Sequence, residues 1–254
     1  MSTPVNQTLL LLDIERYSDR TDVEQAYLRR MLYDIADGTL DAASIDESQR
    51  QRADRGDSVM ELIDANASVS ALLRALITEL PVQLRATNQR ASSSAQIRLR
   101  AVLATGYVSV DERKGWVGSD LNHACRLLDA ELLRSALHER PDDFALCVSD
   151  SVHQGIVRHG HPGIRPEDFR PITPESKNGP LSAWLYGPLP SAGITPVGDA
   201  LAAETGAPPT SPPGQAGPAG PGSVHVMGDQ YGVAGGTVHG GANFTFGPRP
   251  GGNR

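Results

Sequence analysis

One segment constrains the fold of this chain more than any other: Leu9-Leu10-Leu11-Leu12-Asp13-Ile14-Glu15-Arg16-Tyr17-Ser18. A continuous leucine run suits a strand covered on both faces. The run ends abruptly in a carboxylate. An aspartate at the C-terminal edge of a buried strand is held rigidly where the sheet meets solvent. That placement suits a metal ligand or a catalytic acid. The plainer reading is that Asp13 ends the strand or caps a turn, and the segment alone favours it.

Composition narrows the classes. A chain of 254 residues holds one substantial domain plus a tail, or two small domains. A net charge of -7 and the absence of a basic cluster argue against a nucleic-acid partner. Cys125 and Cys147 lack metal-type spacing and read as small buried thiols in a reducing compartment. No signal-peptide pattern opens the chain, and Leu9 to Leu12 is too short to span a bilayer. The expectation is a cytoplasmic protein with no membrane partner.

After the first strand, Ser18 to Asp22 form a polar turn, and Val23, Tyr27 and Met31 recur at helical spacing to a stop near Gly38. The polar stretch 39–52 has room for a short second helix. Gly56 and Asp57 mark the tip of a hairpin leading into a strand at Val59–Ile63. Val69, Leu72, Leu76, Leu80 and Leu84 form the stripe of a strong helix, with Pro81 placed to kink its end. Ile97 to Leu103 and Val108 to Val110 read as two extended runs. Ser119 or Asp120 can cap a helix with Leu121, Cys125, Leu128 and Leu132 on its buried stripe. A strand at 144–148, a short helix at 152–157 and strands at 169–172 and 183–186 complete the body. This order predicts an α+β sandwich with helices covering one face of the sheet.

From Leu189 the composition shifts. Residues 206–222 carry no charge and consist mostly of Gly, Pro and Ala, as a linker does. The expected organisation is a domain at 1–188, a linker at 189–222 and a Gly-rich tail at 223–254. The tail composition predicts disorder. Its apolar residues between glycines, Val224 to Met227 and Val238 to Phe246, also suit a peptide that adds as a strand to a protein partner.

Three groups line up along the body. Asp13 ends the first strand, Asp57 sits at the hairpin turn, and Gly118-Ser-Asp-Leu-Asn122-His-Ala-Cys-Arg126 opens a helix. Here the chain resembles the class III nucleotidyl cyclases, the adenylate and guanylate cyclase family. The resemblance rests on Asp13-Ile14 with Tyr17-Ser18, Gly56-Asp57, Arg100 with Thr105-Gly106, Gly118 with Asn122 and Arg126, and a late Lys177. It covers roughly residues 5–187 and implies a ferredoxin-like cyclase sandwich with a central, mostly antiparallel sheet. It further implies two Mg²⁺ or Mn²⁺ ions on Asp13, Asp57 and the Ile14 carbonyl. The substrate is then a nucleoside triphosphate, converted to a 3′,5′-cyclic monophosphate and pyrophosphate. The site is implied to lie in a head-to-tail homodimer, with Asn122 and Arg126 contributed by the second copy.

The residue types suit this chemistry. Two carboxylates can hold hard divalent ions. Asn122 and Arg126 are four residues apart and share a helix face. An amide can orient a ribose, and a guanidinium can stabilise charge on the α-phosphoryl oxygens. Lys177 offers phosphate a point charge, and Arg55 adjoins the hairpin turn, within reach of phosphate or base. Plainer roles stand beside these: turn chemistry for Asp57, a local hydrogen bond for Asn122, a surface pair with Asp129 for Arg126, and solvation for Lys177.

The chain departs from the family where the base is chosen. Ala53 and Gly115 fall at the base-selecting positions and offer no base-edge hydrogen bonds, unless a one-residue shift brings in Asp54 or Lys114. The base is therefore open. Purines stand beside pyrimidines, and the resemblance extends to bacterial pyrimidine cyclases whose cyclic UMP or cyclic CMP signals phage infection. The rival expectation is a catalytically weak cyclase-like module that recruits a partner through its tail.

Overall fold

The computed structural model describes residues 3–113, 115–176 and 179–191. The expected linker from 192 and the tail at 223–254 lie outside the described residues, as do Lys114 and Lys177. The elements run β1 (Val5–Ile14), α1 (Asp22–Ala42), β2 (Arg50–Asp54), β3 (Ser58–Asp64), α2 (Val69–Asn88), β4 (Leu99–Val110), β5 (Trp116–Val117), α3 (Ser119–Asp129), α4 (Glu131–Glu139), β6 (Phe144–Ser149), α5 (Asp150–Gly155), β7 (Phe169–Ile172) and β8 (Ala183–Tyr186). They build an α+β fold around one sheet of order β2-β3-β1-β4-β6-β8-β7, with β5 paired to β4. Every described pair is antiparallel except β4 with β6.

The leucine run explains the centre. Leu9, Leu10 and Leu12 are fully buried and Leu11 is 1% exposed. Alternation sends Leu10, Leu12 and Ile14 to the face under α1 and α2, and Leu9 and Leu11 to the face under α3 and α4. Each such burial is worth about 1.5–3 kcal/mol. Helices therefore cover both faces of the sheet, not the single face expected from the sequence. A strand apolar at every position requires both covers.

Several boundaries differ from expectation for identifiable reasons. Thr21 caps α1 through a capping box: its hydroxyl accepts the Glu24 N–H, and the Glu24 carboxylate accepts the Thr21 N–H at 3.0 Å. The helix passes through Gly38 and ends at Ala42. Gly38 faces the amide end of Gln83 on α2, which would have to shift to admit a Cβ 2.6 Å from its Oε1. The stretch 39–52 then holds the end of α1, a 3₁₀ turn at Glu47–Gln49 and strand β2, not a second helix. Helix α2 continues past Pro81 to Asn88. The two runs around Gly106 form one strand, β4. Gly106 admits α3, because a Cβ would sit 2.2 Å from the Cβ of Asp120. The N-cap of α3 is Gly118, and the Asp120 carboxylate instead accepts the Tyr107 N–H at 2.8 Å. An extended Ala130 breaks the expected helix in two, leaving Leu132 on α4. Strands β7 and β8 fall where the sequence placed them. No helix among the described residues is long and apolar enough to cross a membrane.

Candidate active site

The register of β1 sets the site. Asp13 lies opposite Ser58 of β3 and Arg100 of β4. One residue on, the Ile14 N–H donates to the Asp57 carbonyl at 3.0 Å. That bond ties the β2–β3 turn to the end of β1. The turn is tight: the Arg55 N–H donates to the Ser58 carbonyl at 2.9 Å, and the Gly56 N–H donates to the Asp54 carboxylate at 2.7 Å. Gly56 has φ 89°, a left-handed conformation that glycine adopts freely. The backbone thus carries the exposed Asp57 to the mouth of the strand where Asp13 is buried.

The two carboxylates sit in different surroundings. Asp13 is 8% exposed and forms an ion pair with Arg100. Burial raises its pKa to about 6 against the opposing guanidinium of Arg100, and Asp57 and Asp129 push in the same direction as burial. Arg100 does not cancel the cost of burying this acid. A divalent cation at the same place would favour the ionised form. Nε and Nη1 of Arg100 are buried and have no partner among the described residues. Both are closed to solvent as the side chain stands, so an oxyanion would reach them only if Arg100 swung toward the cleft. Asp57 forms no ion pair among the described residues.

A cleft of about 470 Å³ opens here, bounded by the Ile14–Ser18 turn, Asp57, Arg100 and the exposed Arg134 and His138 of α4. The sequence did not single out Arg16, Arg134 or His138. Arg100 was noted only as part of a motif, although its cross-strand position marks it as the partner of Asp13. No group of three or more His, Cys, Asp or Glu among the described residues is disposed to hold a metal. The donor set on offer is two carboxylates and the Ile14 carbonyl.

Asn122 and Arg126 stand elsewhere. They lie one turn apart on α3, Asn122 exposed and Arg126 half-buried, and neither lines the cleft. Neither side chain has a hydrogen bond or ion pair among the described residues. The surface pair of Arg126 with Asp129 does not form, since Asp129 contacts Arg134 at 3.5 Å. Arg55 is exposed on the hairpin, near enough to α3 to act electrostatically on the Cys125 thiol, which burial pushes up. At the base-selecting positions, Ala53 packs on the apolar face under α3. Gly115 donates its N–H to Asp111 at 2.6 Å, and a Cβ there would lie 2.7 Å from that carboxylate. Asp54 is already engaged by Arg29 and by the Gly56 N–H.

No protein-family model and no curated protein matches the chain. Solved structures do. A bacterial light-regulated adenylyl cyclase is 14% identical, with a TM-score of 0.51 over 72% of this chain and 52% of that one. The guanylate cyclase domain of RhGC from Catenaria anguillulae, in complex with GTP, is 15% identical at a TM-score of 0.49, covering 74% of this chain and 100% of that one. An adenylate/guanylate cyclase/hydrolase from Silicibacter pomeroyi is 19% identical at a TM-score of 0.48, covering 74% and 99%. The likeness to the light-regulated enzyme establishes the fold of a cyclase catalytic domain.

Proposed function

We propose that this chain is a divalent-metal-dependent nucleotide cyclase that converts a nucleoside triphosphate to a 3′,5′-cyclic monophosphate and pyrophosphate. The observation that carries this reading is the meeting of Asp57 and Arg100 in one cleft at the end of β1, with Asp13 paired to Arg100 at its edge through the register of β1. Magnesium keeps several waters and binds through one or two carboxylates plus substrate phosphates, so this donor set fits. Bound there, two ions would supply a lowered pKa for the ribose 3′-hydroxyl and neutralise the triphosphate. The 3′-oxygen attacks the α-phosphorus, its proton passes to solvent, and the bond to pyrophosphate breaks.

The protein's share is placement and charge. Asp13, Asp57 and the Ile14 carbonyl hold the ions. Arg100, whose Nε and Nη1 lack partners among the described residues, turns toward the cleft to meet phosphate oxygens. Asn122 and Arg126 come from a second copy in a head-to-tail homodimer, the amide orienting the ribose and the guanidinium stabilising the α-phosphoryl charge. Lys177 and Arg55 contribute further positive charge to the phosphates or base. Small residues at 53 and 115 fit a pyrimidine as well as a purine, so cyclic UMP or cyclic CMP in antiphage signalling belongs to the same reading. We place the enzyme in the cytoplasm.

The same two positions favour a second reading, a cyclase-like module that binds without turnover and recruits a protein through its tail. One experiment separates the two. Each of the four ribonucleoside triphosphates is incubated with the dimer and Mn²⁺ or Mg²⁺. A cyclic product from at least one is expected, lost in Asp13→Ala and Asp57→Ala. No product from any of the four, with the dimer intact, leaves the binding module.

A further inference from the structure

A second cavity, of about 570 Å³, lies where α2, the end of α4 and the end of β8 meet. Its walls are largely apolar: Ile77, Pro81 and Leu84 of α2, Pro141, and Phe144 of β6. The size and the lining are those of a small-molecule site. It is separate from the candidate active cleft and shares α4 with it. Arg134 and His138 of that helix wall the cleft, and Arg140, just past its last turn, walls the second cavity. Arg98 pins this end of α4, donating to the Leu137 carbonyl at 2.6 Å, the Arg140 carbonyl at 3.0 Å and the Glu15 carboxylate at 3.0 Å.

The polar part of the lining is short of acceptors. Arg140 is half-buried and forms no ion pair among the described residues. Its Nη2 donates to the Pro188 carbonyl at 2.9 Å, while Nε is closed off with no partner. Burial pushes its pKa down, against the influence of Asp142 and Tyr186, yet a guanidinium keeps its charge. The cavity thus holds a partly desolvated cation without a counter-ion, an arrangement that costs free energy until an anion arrives. Arg85, exposed at the rim, makes no side-chain hydrogen bond or ion pair among the described residues. The Tyr186 ring leans on Phe169 at 5.3 Å between centroids, and its hydroxyl has no partner among the described residues. The acids nearby do not fill the role. Asp143 is engaged by Arg98 at 3.5 Å and Asp168 by Arg165 at 3.1 Å, and the exposed Asp142 forms no ion pair with Arg140.

We propose that this cavity binds a small organic acid, its carboxylate meeting Arg140, Arg85 and the Tyr186 hydroxyl and its apolar body packing between α2 and Phe144. The proposal does not depend on the cyclase reading. The test is calorimetric titration of the full chain with 1-naphthoate. Controls are 1-naphthamide, a neutral molecule of the same shape, and acetate, the charge without the body. 1-Naphthoate is expected to bind about tenfold more tightly than either. Arg140→Met keeps an apolar stem and removes the charge. It should weaken 1-naphthoate about tenfold and leave 1-naphthamide unchanged. Arg85→Gln combined with Tyr186→Phe breaks no hydrogen bond among the described residues and should weaken 1-naphthoate about fivefold. That double variant decides the matter if loss of the Pro188 contact unfolds Arg140→Met. The site is overturned if 1-naphthoate does not bind the wild type, binds no better than 1-naphthamide, or binds the folded variants as tightly as the wild type. Any of these results leaves the cyclase reading to the assay of the four nucleotides.

Discussion

The end of β1 and the outer edge of α3 both carry polar side chains suited to phosphate chemistry, and they differ in what surrounds them. At the end of β1, Asp13 pairs with Arg100 across the strand, and the Asp57 turn is bonded to the Ile14 N–H at 3.0 Å. Along α3, Asn122 and Arg126 project from an amphipathic helix whose other side packs on the sheet through Leu121, Ala124 and Leu128. Neither side chain finds a partner among the described residues. The first region is held in place by the chain itself. The second is positioned by it and left incomplete. The difference fits a site of which each chain supplies one half.

Mutations test that contrast. Asp13→Ala combined with Asp57→Ala should lower kcat/KM by about 10³-fold or more, roughly 4 kcal/mol of transition-state stabilisation, in a cyclase assay. Leu12→Ala, beneath the same site, should cost about 2–5 kcal/mol of folding stability in urea titration, since Leu12 is fully buried. On the α3 side the effects should separate. Asn122→Ala or Arg126→Ala should reduce kcat by about 10²-fold, while stability stays within about 0.5 kcal/mol because neither side chain makes a hydrogen bond or ion pair among the described residues.

The smallest effect concerns pH and lies away from both regions. His153 is buried, stacked on Trp184 at 3.4 Å between ring centroids, with Nδ1 lacking a partner among the described residues. Burial holds its imidazole below the usual 6.5, with Asp150 opposing and Arg158 adding to the shift. The unfolded chain therefore binds a proton there more readily than the folded one. This stability is fully present well above pH 6.5 and declines as pH falls below that value. His153→Phe should keep the stack on Trp184 and flatten the acid limb of a Tm-against-pH curve. An unchanged acid limb would assign the sensitivity to other groups.

The sequence was most legible where one residue type had one reason to be present. The leucine run announced a central strand, and the Gly56-Asp57 pair announced a turn. It was least legible where a residue answered to a neighbour distant in the chain. Gly38 read as a helix stop because nothing local shows Gln83 beside it. Gly106 read as a break between runs because Asp120 comes 14 residues later and needs the space. The covered second face of the sheet was implicit in four unalternating leucines, and its helix α4 was hidden by the break at Ala130. Among the candidate site residues, Asp13 and Asp57 stood out in the sequence because both are acids at element ends. Arg100 was seen only as part of a motif, because its pairing with Asp13 comes from cross-strand register, which a linear reading does not display.

The central claim, that each chain supplies half a site, has a direct test. Asp13→Ala and Arg126→Ala copies are prepared separately, each inactive, then mixed in equal amounts and assayed for cyclic nucleotide. Half of the dimers formed are mixed, and each holds one intact site, so activity should return to about a quarter of the wild-type level. If native mass spectrometry shows mixed dimers and the mixture stays inactive, the two halves do not meet across a dimer and the account is wrong.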